Sequence, residues 1–183
     1  YIPGGRNAGR VETVHGGVGR NVAEDIANVE LRPRFVSMVD DSAEGAEVLR
    51  KLKNHKVDTS CVLTVPDSMG MWLAVFDETG DIVASISKRP AMDALAQMIE
   101  ERGDEIFADC DSIVLEIDLD KEIIKSVFKY AEKYHKRVYA VVANMSIASQ
   151  RRDFLQSIDC FVCNAEEADI LFVSDMQELE PEE

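Results

Sequence analysis

From residue 35 onward, short apolar or β-branched runs alternate with segments of helical period. That alternation restricts the chain to stacked βαβ units around a mostly parallel sheet. "RFVSMV" reads as a strand, "SAEGAEVLRKLKNH" as a helix with Val48, Leu49 and Leu52 on one face, and "SCVLTV" as the next strand. Further along, "DALAQMIEERGDEIF" reads as a helix and "SIVLEI" as a buried strand. "DKEIIKSVFKYAEKYHK" repeats Ile123, Ile124, Val127, Phe128, Ala131 and Tyr134 at helical spacing. "RVYAVVA" is another buried strand. A short helix around "ASQRRDFLQ", a strand "IDCFVC" and a helix opening at "AEEADILF" complete the series.

One segment departs from this rhythm. Residues 71–87, "MWLAVFDETGDIVASIS", form two alternating runs around "DETGD", the pattern of a β-hairpin standing off the main sheet. Trp72 and Phe76 fall on one face of its first strand, Leu73 and Val75 on the other. Because an isolated two-stranded hairpin is marginal in water, it is expected to cover a bound substrate or to pair with the same hairpin of another subunit.

The 183 residues suffice for one domain with a core, or for part of a larger one. Aliphatic and aromatic residues make up 46% and charged residues 30%, the balance of a globular protein. A net charge of −15 argues against nucleic acid or an anionic membrane as partner, since both call for a basic footprint. The cysteines, Cys61, Cys110, Cys160 and Cys163, show no disulfide-framework spacing, and a reducing cytoplasm is expected. No apolar run approaches the ~20 residues of a membrane helix.

The stretch "VHGGVGRNVAEDIAN", residues 14–28, places a glycine-rich turn directly before a helix. A dinucleotide fold is one reading: Gly17, Gly19 and Val22 give G-x-G-x-x-V after a strand "RVETV", with Asp40 placed to meet a ribose. Val22 stands where that fingerprint wants a small residue. A second reading is a tight turn whose glycines supply positive φ and close packing. Neither accounts for Asn21, which falls in the first helical turn and offers amide donors together with an acceptor. That chemistry suits a hydroxyl group, so a polyol fits better than a phosphate.

"NAGRVETVHGGVGRNVAEDIANVEL" resembles the N-terminal signature of the PfkB carbohydrate kinases, in which a GGxGxN turn contacts sugar hydroxyls. The lead-in "RNAGRV" and the tract "GGVGRNVAE" most resemble the pseudouridine kinase-like and related sugar or nucleoside kinases. "DETGD" is similar to the family's lid hairpin, and "CNAEEADIL" to its N-x-x-E element, as Asn164 and Glu167. The resemblance implies a ribokinase-like three-layer α/β/α fold with a mostly parallel central sheet and a hairpin lid at about 71–87. It also implies transfer of the γ-phosphoryl group of ATP, with Mg2+, to a sugar or nucleoside hydroxyl.

On the matching positions, Gly16, Gly17 and Asn21 are expected to bind the acceptor. Asp118, beyond "SIVLEI", is expected either to touch the substrate or to cap the next helix. Asn164 and Glu167 are expected near the nucleotide phosphates, with Glu167 placing Mg2+ indirectly through water. The same two residues also fit a helix cap. A homodimer through the hairpin is expected.

The family's G-A-G-D element, which carries the catalytic aspartate, does not occur in these residues, and neither does its early strand with a sugar-binding aspartate. "VDDSAEG" matches a family turn loosely, with Asp40 where glycine is usual. The expectation is therefore a partial ribokinase-like domain over 1–183, carrying the sugar-binding half, cut at both ends and inactive alone. The alternatives are an NAD-type oxidoreductase domain built on the G-x-G turn, or a non-catalytic sugar-binding remnant.

Two further features are weighed. Cys160 and Cys163 form C-x-x-C at a strand end, but no second Cys or His pair completes a zinc site, so both are expected in the core. His15, His55 and His135 have no ligand spacing; His15, beside the glycine turn, is expected at the surface or in packing, with a substrate contact the lesser reading.

Overall fold

The computed structural model describes residue 2 and residues 4–143 and 145–172; the last part of the expected domain, 173–183, lies outside the described residues. The elements run α1 (Val18–Asn28), β1 (Arg34–Val39), α2 (Ala43–Asn54), β2 (Asp58–Thr64), β3 (Met71–Phe76), β4 (Ile82–Lys88), α3 (Asp93–Phe107) and β5 (Ser112–Glu116). They continue with α4 (Lys121–Tyr134), β6 (Arg137–Val141), the short α5 (Met145–Ala148), a 3-10 helix (Ser149–Ser157), β7 (Cys160–Phe161) and α6 (Ala165–Phe172).

The strands pair as the alternation requires. β1 and β2 are parallel, β5, β6 and β7 form a second parallel sheet in that order, and β3 and β4 make an antiparallel hairpin. The described strands pair as two parallel sets, β1 with β2 and β5 with β6 and β7, and α1 packs against both β1 and β5.

Strand alternation sets the layers. Val36 and Met38 of β1 join the core under α3 and α4, whereas Phe35 and Val39, which point the opposite way, join the core under α1 and α2. Cys61 and Leu63 of β2 divide from Val62 in the same manner. Helices therefore cover both faces of the sheet. Ile123 and Ile124 at the start of α4 and Val138 of β6 are almost fully buried, each contributing about 1.5–3 kcal/mol relative to exposure.

Helix α2 begins where its sequence places a cap. The Ser42 hydroxyl accepts the Gly45 N–H at 3.1 Å, and Asp40 Oδ1 accepts from the Ser42 hydroxyl at 2.5 Å. Asp40 therefore supports a helix cap, the role opposed to the ribose contact of the dinucleotide reading.

Three expected elements differ. "RVETV" is not a strand: among the described residues no strand pairs with it, and Val11 and Val14 face solvent. The strand–turn–helix unit that a dinucleotide fingerprint needs is therefore missing at the glycine turn. The strand "IDCFVC" contracts to Cys160 and Phe161, which among the described residues pair with β6 alone. That brevity leaves Cys160 exposed and Cys163 half-buried, correcting the expectation that both sit in the core.

Candidate functional site

The glycine turn obeys simple backbone rules. Gly17 is the N-cap of α1 with φ 98°, in the region that favours glycine, and its carbonyl accepts the Asn21 N–H at 3.0 Å. Gly16 has open space around it. Arg20 folds back over the turn: its Nε donates to the Gly16 carbonyl at 2.8 Å, and a terminal nitrogen donates to the His15 carbonyl at 2.6 Å. It also meets the Asn21 side-chain oxygen and pairs with Glu24 one turn on. Asn21 is exposed with its oxygen engaged, so what it presents to a ligand is its amide N–H pair. Sequence reasoning missed Arg20; the Arg20–Glu24 spacing on a helix was the available signal. His15 is half-buried, with its Nδ1 enclosed and lacking a hydrogen-bond partner.

The carboxyl end of β5 supplies the facing wall. Glu116 Oε1 accepts the backbone N–H of Gly19 at 2.5 Å, joining residues 97 apart in sequence. A Cβ on residue 19 would lie 2.9 Å from that oxygen, so the Glu116 carboxyl would have to shift to admit one, and 3.6 Å from the Phe35 ring, an ordinary contact. Burial raises the Glu116 carboxyl above the ordinary glutamate range. The Gly19 N–H opposes that shift, the Asp118 charge adds to it, and Arg89 opposes it.

Asp118, two residues on, is 4% exposed. Its Oδ1 accepts the Ala143 N–H at 3.1 Å, and its Oδ2 lies 3.6 Å from Arg89. Arg89 also donates to the Asp118 carbonyl at 2.9 Å. The expected alternative, a cap for the next helix, is corrected: Asp120 occupies the N-cap of α4, and Asp118 instead ties the end of β6 to the foot of the hairpin. A carboxylate has about four acceptor sites, so these two partners leave Asp118 capacity for a ligand hydroxyl. Glu116 and Arg89 were both missed, since each becomes significant only through a partner distant in sequence.

Asn164 and Glu167 form a reciprocal capping box at α6. Asn164 Oδ1 accepts the Glu167 N–H at 2.8 Å, and Glu167 Oε2 accepts the Asn164 N–H at 2.9 Å. Because β7 is parallel to β5 with β6 between them, this cap lies at the same edge of the sheet as Glu116, roughly 10 Å along at ordinary strand spacing. A hard cation calls for several oxygen ligands, and among the described residues no group of three or more His, Cys, Asp or Glu gathers to hold one. Among the described residues, no helix is long and apolar enough to cross a membrane.

Parallel strands covered by helices on both faces, with polar groups collected at the strands' carboxyl ends, define a doubly wound α/β domain. The chain belongs to the pfkB family of carbohydrate kinases, whose family model matches residues 3–181, and its fold is the ribokinase-like α/β fold. It is 32% identical over 167 residues to a guanosine-inosine kinase of Exiguobacterium acetylicum, covering 91% of this chain and 55% of that protein. It is 27% identical over 112 residues to a pseudouridine kinase of Escherichia coli, covering 57% of this chain and 36% of that one. A carbohydrate kinase structure from Agrobacterium tumefaciens superposes with a TM-score of 0.77 at 20% identity, over 93% of this chain and 56% of its own. The chain thus spans about half the length of these relatives.

Proposed function

We propose that this chain carries the acceptor-binding side of a kinase that moves the γ-phosphoryl group of ATP to a hydroxyl of a nucleoside or sugar. The observation that carries the reading is the bond from Gly19 to Glu116, which brings the glycine turn of a pfkB-family chain to the strand end that holds Asp118. A nucleoside is favoured, because the relative at 32% identity is a guanosine-inosine kinase. ATP supplies the phosphoryl group. Residues 1–183 are read as one partial ribokinase-like domain.

Phosphoryl transfer asks little covalent chemistry of the protein and depends on positioning and charge stabilisation. Gly16 and Gly17 present backbone groups, and Asn21 an amide, to the acceptor's hydroxyls. Asp118 accepts a hydrogen bond from one of those hydroxyls and thereby orients the acceptor. Asn164 and Glu167 border the nucleotide side, separated from the acceptor side by the width of β6. The hairpin of β3 and β4 covers the acceptor or pairs with the hairpin of a second copy. A reducing cytoplasm is the compartment expected for four cysteines without disulfide-framework spacing.

The test is a coupled ATP-consumption assay of the gene product with guanosine, inosine, pseudouridine, ribose and fructose. Phosphorylation of a nucleoside, at a kcat/KM above that for the free sugars, is expected. Absence of phosphorylation of every acceptor overturns the reading. NADH protection in a thermal-shift experiment, without any response to nucleosides, would assign the glycine turn to a dinucleotide instead.

A further inference from the structure

We propose that the cavity between the lead-in to the glycine turn, α1 and α2 is a second ligand site, separate from the acceptor's, that takes a phosphate monoester carrying free hydroxyl groups.

The cavity measures about 470 Å3, within the range of small-molecule sites, and its walls include Thr13, His15, Arg20, Glu24, Lys51 and His55. Neither Asn21 nor Asp118 lines it. The chain as a whole carries a net charge of −15, so an anion is held only where cations gather locally. Here they gather. Arg20 and Lys51 are permanent cations, two imidazoles stand with them, and the single carboxylate of the wall, Glu24, is paired with Arg20.

Lys51 and His55 form the anion end. They lie four residues apart at the carboxyl end of α2, so their Cβ atoms stand about 5–6 Å apart on one face. Glu47, one turn before Lys51, gives its carboxylate to Arg50 at 2.6 Å, and Lys51 makes no ion pair among the described residues. Its ammonium, a compact point charge with three donors, is left for a phosphate. Because an amide oxygen only accepts, His55 donates to Asn28 Oδ1 through Nδ1, at 3.2 Å. That leaves Nε2 for the ligand, as acceptor from a phosphate hydroxyl or, once protonated, as donor to a phosphate oxygen.

The α1 side suits hydroxyls. Glu24 Oε1 is engaged by Arg20, and the second oxygen of that carboxylate is left to accept a hydroxyl hydrogen. The same negative charge keeps a phosphate away from this wall, so the ligand has one orientation. His15 adds a donor. Its Nδ1 is enclosed without a hydrogen-bond partner, a setting that tolerates a lone pair better than an N–H, and the ring proton therefore belongs on Nε2. Inorganic phosphate uses only the Lys51 end of this space, whereas a phosphate monoester of a polyol reaches both.

Isothermal titration calorimetry of the gene product at low ionic strength tests the site, with ribose 5-phosphate as probe and inorganic phosphate and ribose as comparisons. Ribose 5-phosphate is expected to bind about tenfold or more tightly than inorganic phosphate. Lys51→Ala weakens it by roughly tenfold to a hundredfold, the range for a hydrogen bond to a charged group, and Lys51→Arg retains most of the affinity. Ribose, which lacks the anion, binds wild type and Lys51→Ala alike. Lys51 is exposed, so Lys51→Ala is expected to unfold in urea as the wild type does. In NMR spectra the His55 ring signals shift as ribose 5-phosphate saturates the protein. Equal affinity for ribose 5-phosphate and inorganic phosphate reduces the cavity to an unselective anion seat and overturns the proposal. Affinity unchanged in Lys51→Ala, or His55 signals unmoved at saturation, puts the ester elsewhere, the acceptor site included, and overturns it as well. Lys51 and His55 would then serve only as counter-charges to the carboxyl end of the α2 dipole. Every readout is of binding, so the result stands whether or not the gene product phosphorylates an acceptor.

Discussion

Arg89 donates to the main-chain carbonyl of Asp118 at 2.9 Å while another of its guanidinium nitrogens lies 3.6 Å from the Asp118 carboxylate. Because Arg89 immediately follows β4, the hairpin is joined at its foot to the buried acid of the candidate site. Arg89→Ala leaves that carboxylate with the Ala143 N–H and no cation. The side chain of Arg89 is 35% exposed, so solvent screens part of the pair, and a loss of about 1–2 kcal/mol is expected in urea unfolding. Arg89→Lys, which lacks the planar fork, recovers only part of it. Unchanged stability in both variants would show that the contact holds nothing.

Glu116 gives a pH signature of definite sign. Burial raises its folded-state pKa above the unfolded value, so its contribution to stability is full at acid pH and is lost as pH rises through the folded value. Glu116→Gln cannot ionise and keeps an acceptor for Gly19. Relative to wild type, the glutamine variant is therefore expected to gain stability as pH rises from the ordinary glutamate range through the raised folded-state value, and to gain no more beyond it. The measurement is urea unfolding at several pH values. A stability difference that does not vary with pH would place Glu116 in water rather than against the turn.

What was legible in the sequence was whatever depends on near neighbours. The alternation that produced β1, α2 and β2 is a local pattern, and Val48 and Leu52 are buried as their spacing required. The hairpin announced itself by its turn, and Asn164 with Glu167 by a cap spacing that the reciprocal bonds reproduce. Glu116 and Arg89 carried no such mark. Glu116 acts on Gly19 across 97 residues, and Arg89 on Asp118 across 29, so neither pair has a periodicity to read. The strand expected at "RVETV" failed for the complementary reason: alternating residues give a strand only where another strand pairs with it.

The capping box separates two roles assigned to one residue. Asn164→Ala removes the side-chain acceptor of the Glu167 N–H and is expected to cost about 1 kcal/mol. Glu167→Gln preserves the box, since glutamine serves at that position as glutamate does. Stability in that variant should match wild type, whereas the ATP KM rises if Glu167 borders the nucleotide. A glutamine variant that loses stability but not ATP affinity would reduce Glu167 to a cap.

The hairpin presents Leu73 directly opposite Ile86, 51% and 70% exposed respectively, with Met71 exposed two residues before Leu73 on the same strand. An exposed apolar strand face of this kind is expected to gain stability from whatever covers it, a second copy or a bound acceptor. Leu73→Thr with Ile86→Thr keeps β propensity and a favourable cross-strand pair while removing the apolar surface. Sedimentation equilibrium is expected to show self-association of the wild type, weakened about tenfold or more in the double variant. A wild type that is monomeric at all accessible concentrations would leave the hairpin to the acceptor alone.

The glycine turn allows conformation and binding to be tested apart, because its glycines serve for different reasons. Gly17 sits at φ 98°, where any side chain is strained, so Gly17→Ala is expected to destabilise the fold by about 1–2 kcal/mol. Gly19→Ala brings a methyl group within 2.9 Å of the Glu116 carboxyl, so its expected cost is that of displacing this carboxyl from the Gly19 N–H. Gly16 has an ordinary φ and nothing near its added Cβ, so the folded chain accepts Gly16→Ala without loss, and restriction of the unfolded chain adds slightly to stability. If Gly16 faces the acceptor, that same silent substitution raises the acceptor KM, because the methyl group occupies space meant for a hydroxyl. Thermal unfolding and the kinase assay, run on the three variants together, decide the matter. An acceptor KM that tracks stability across all three makes the turn a structural element only. A rise in Gly16→Ala, with stability intact, puts the acceptor against the turn.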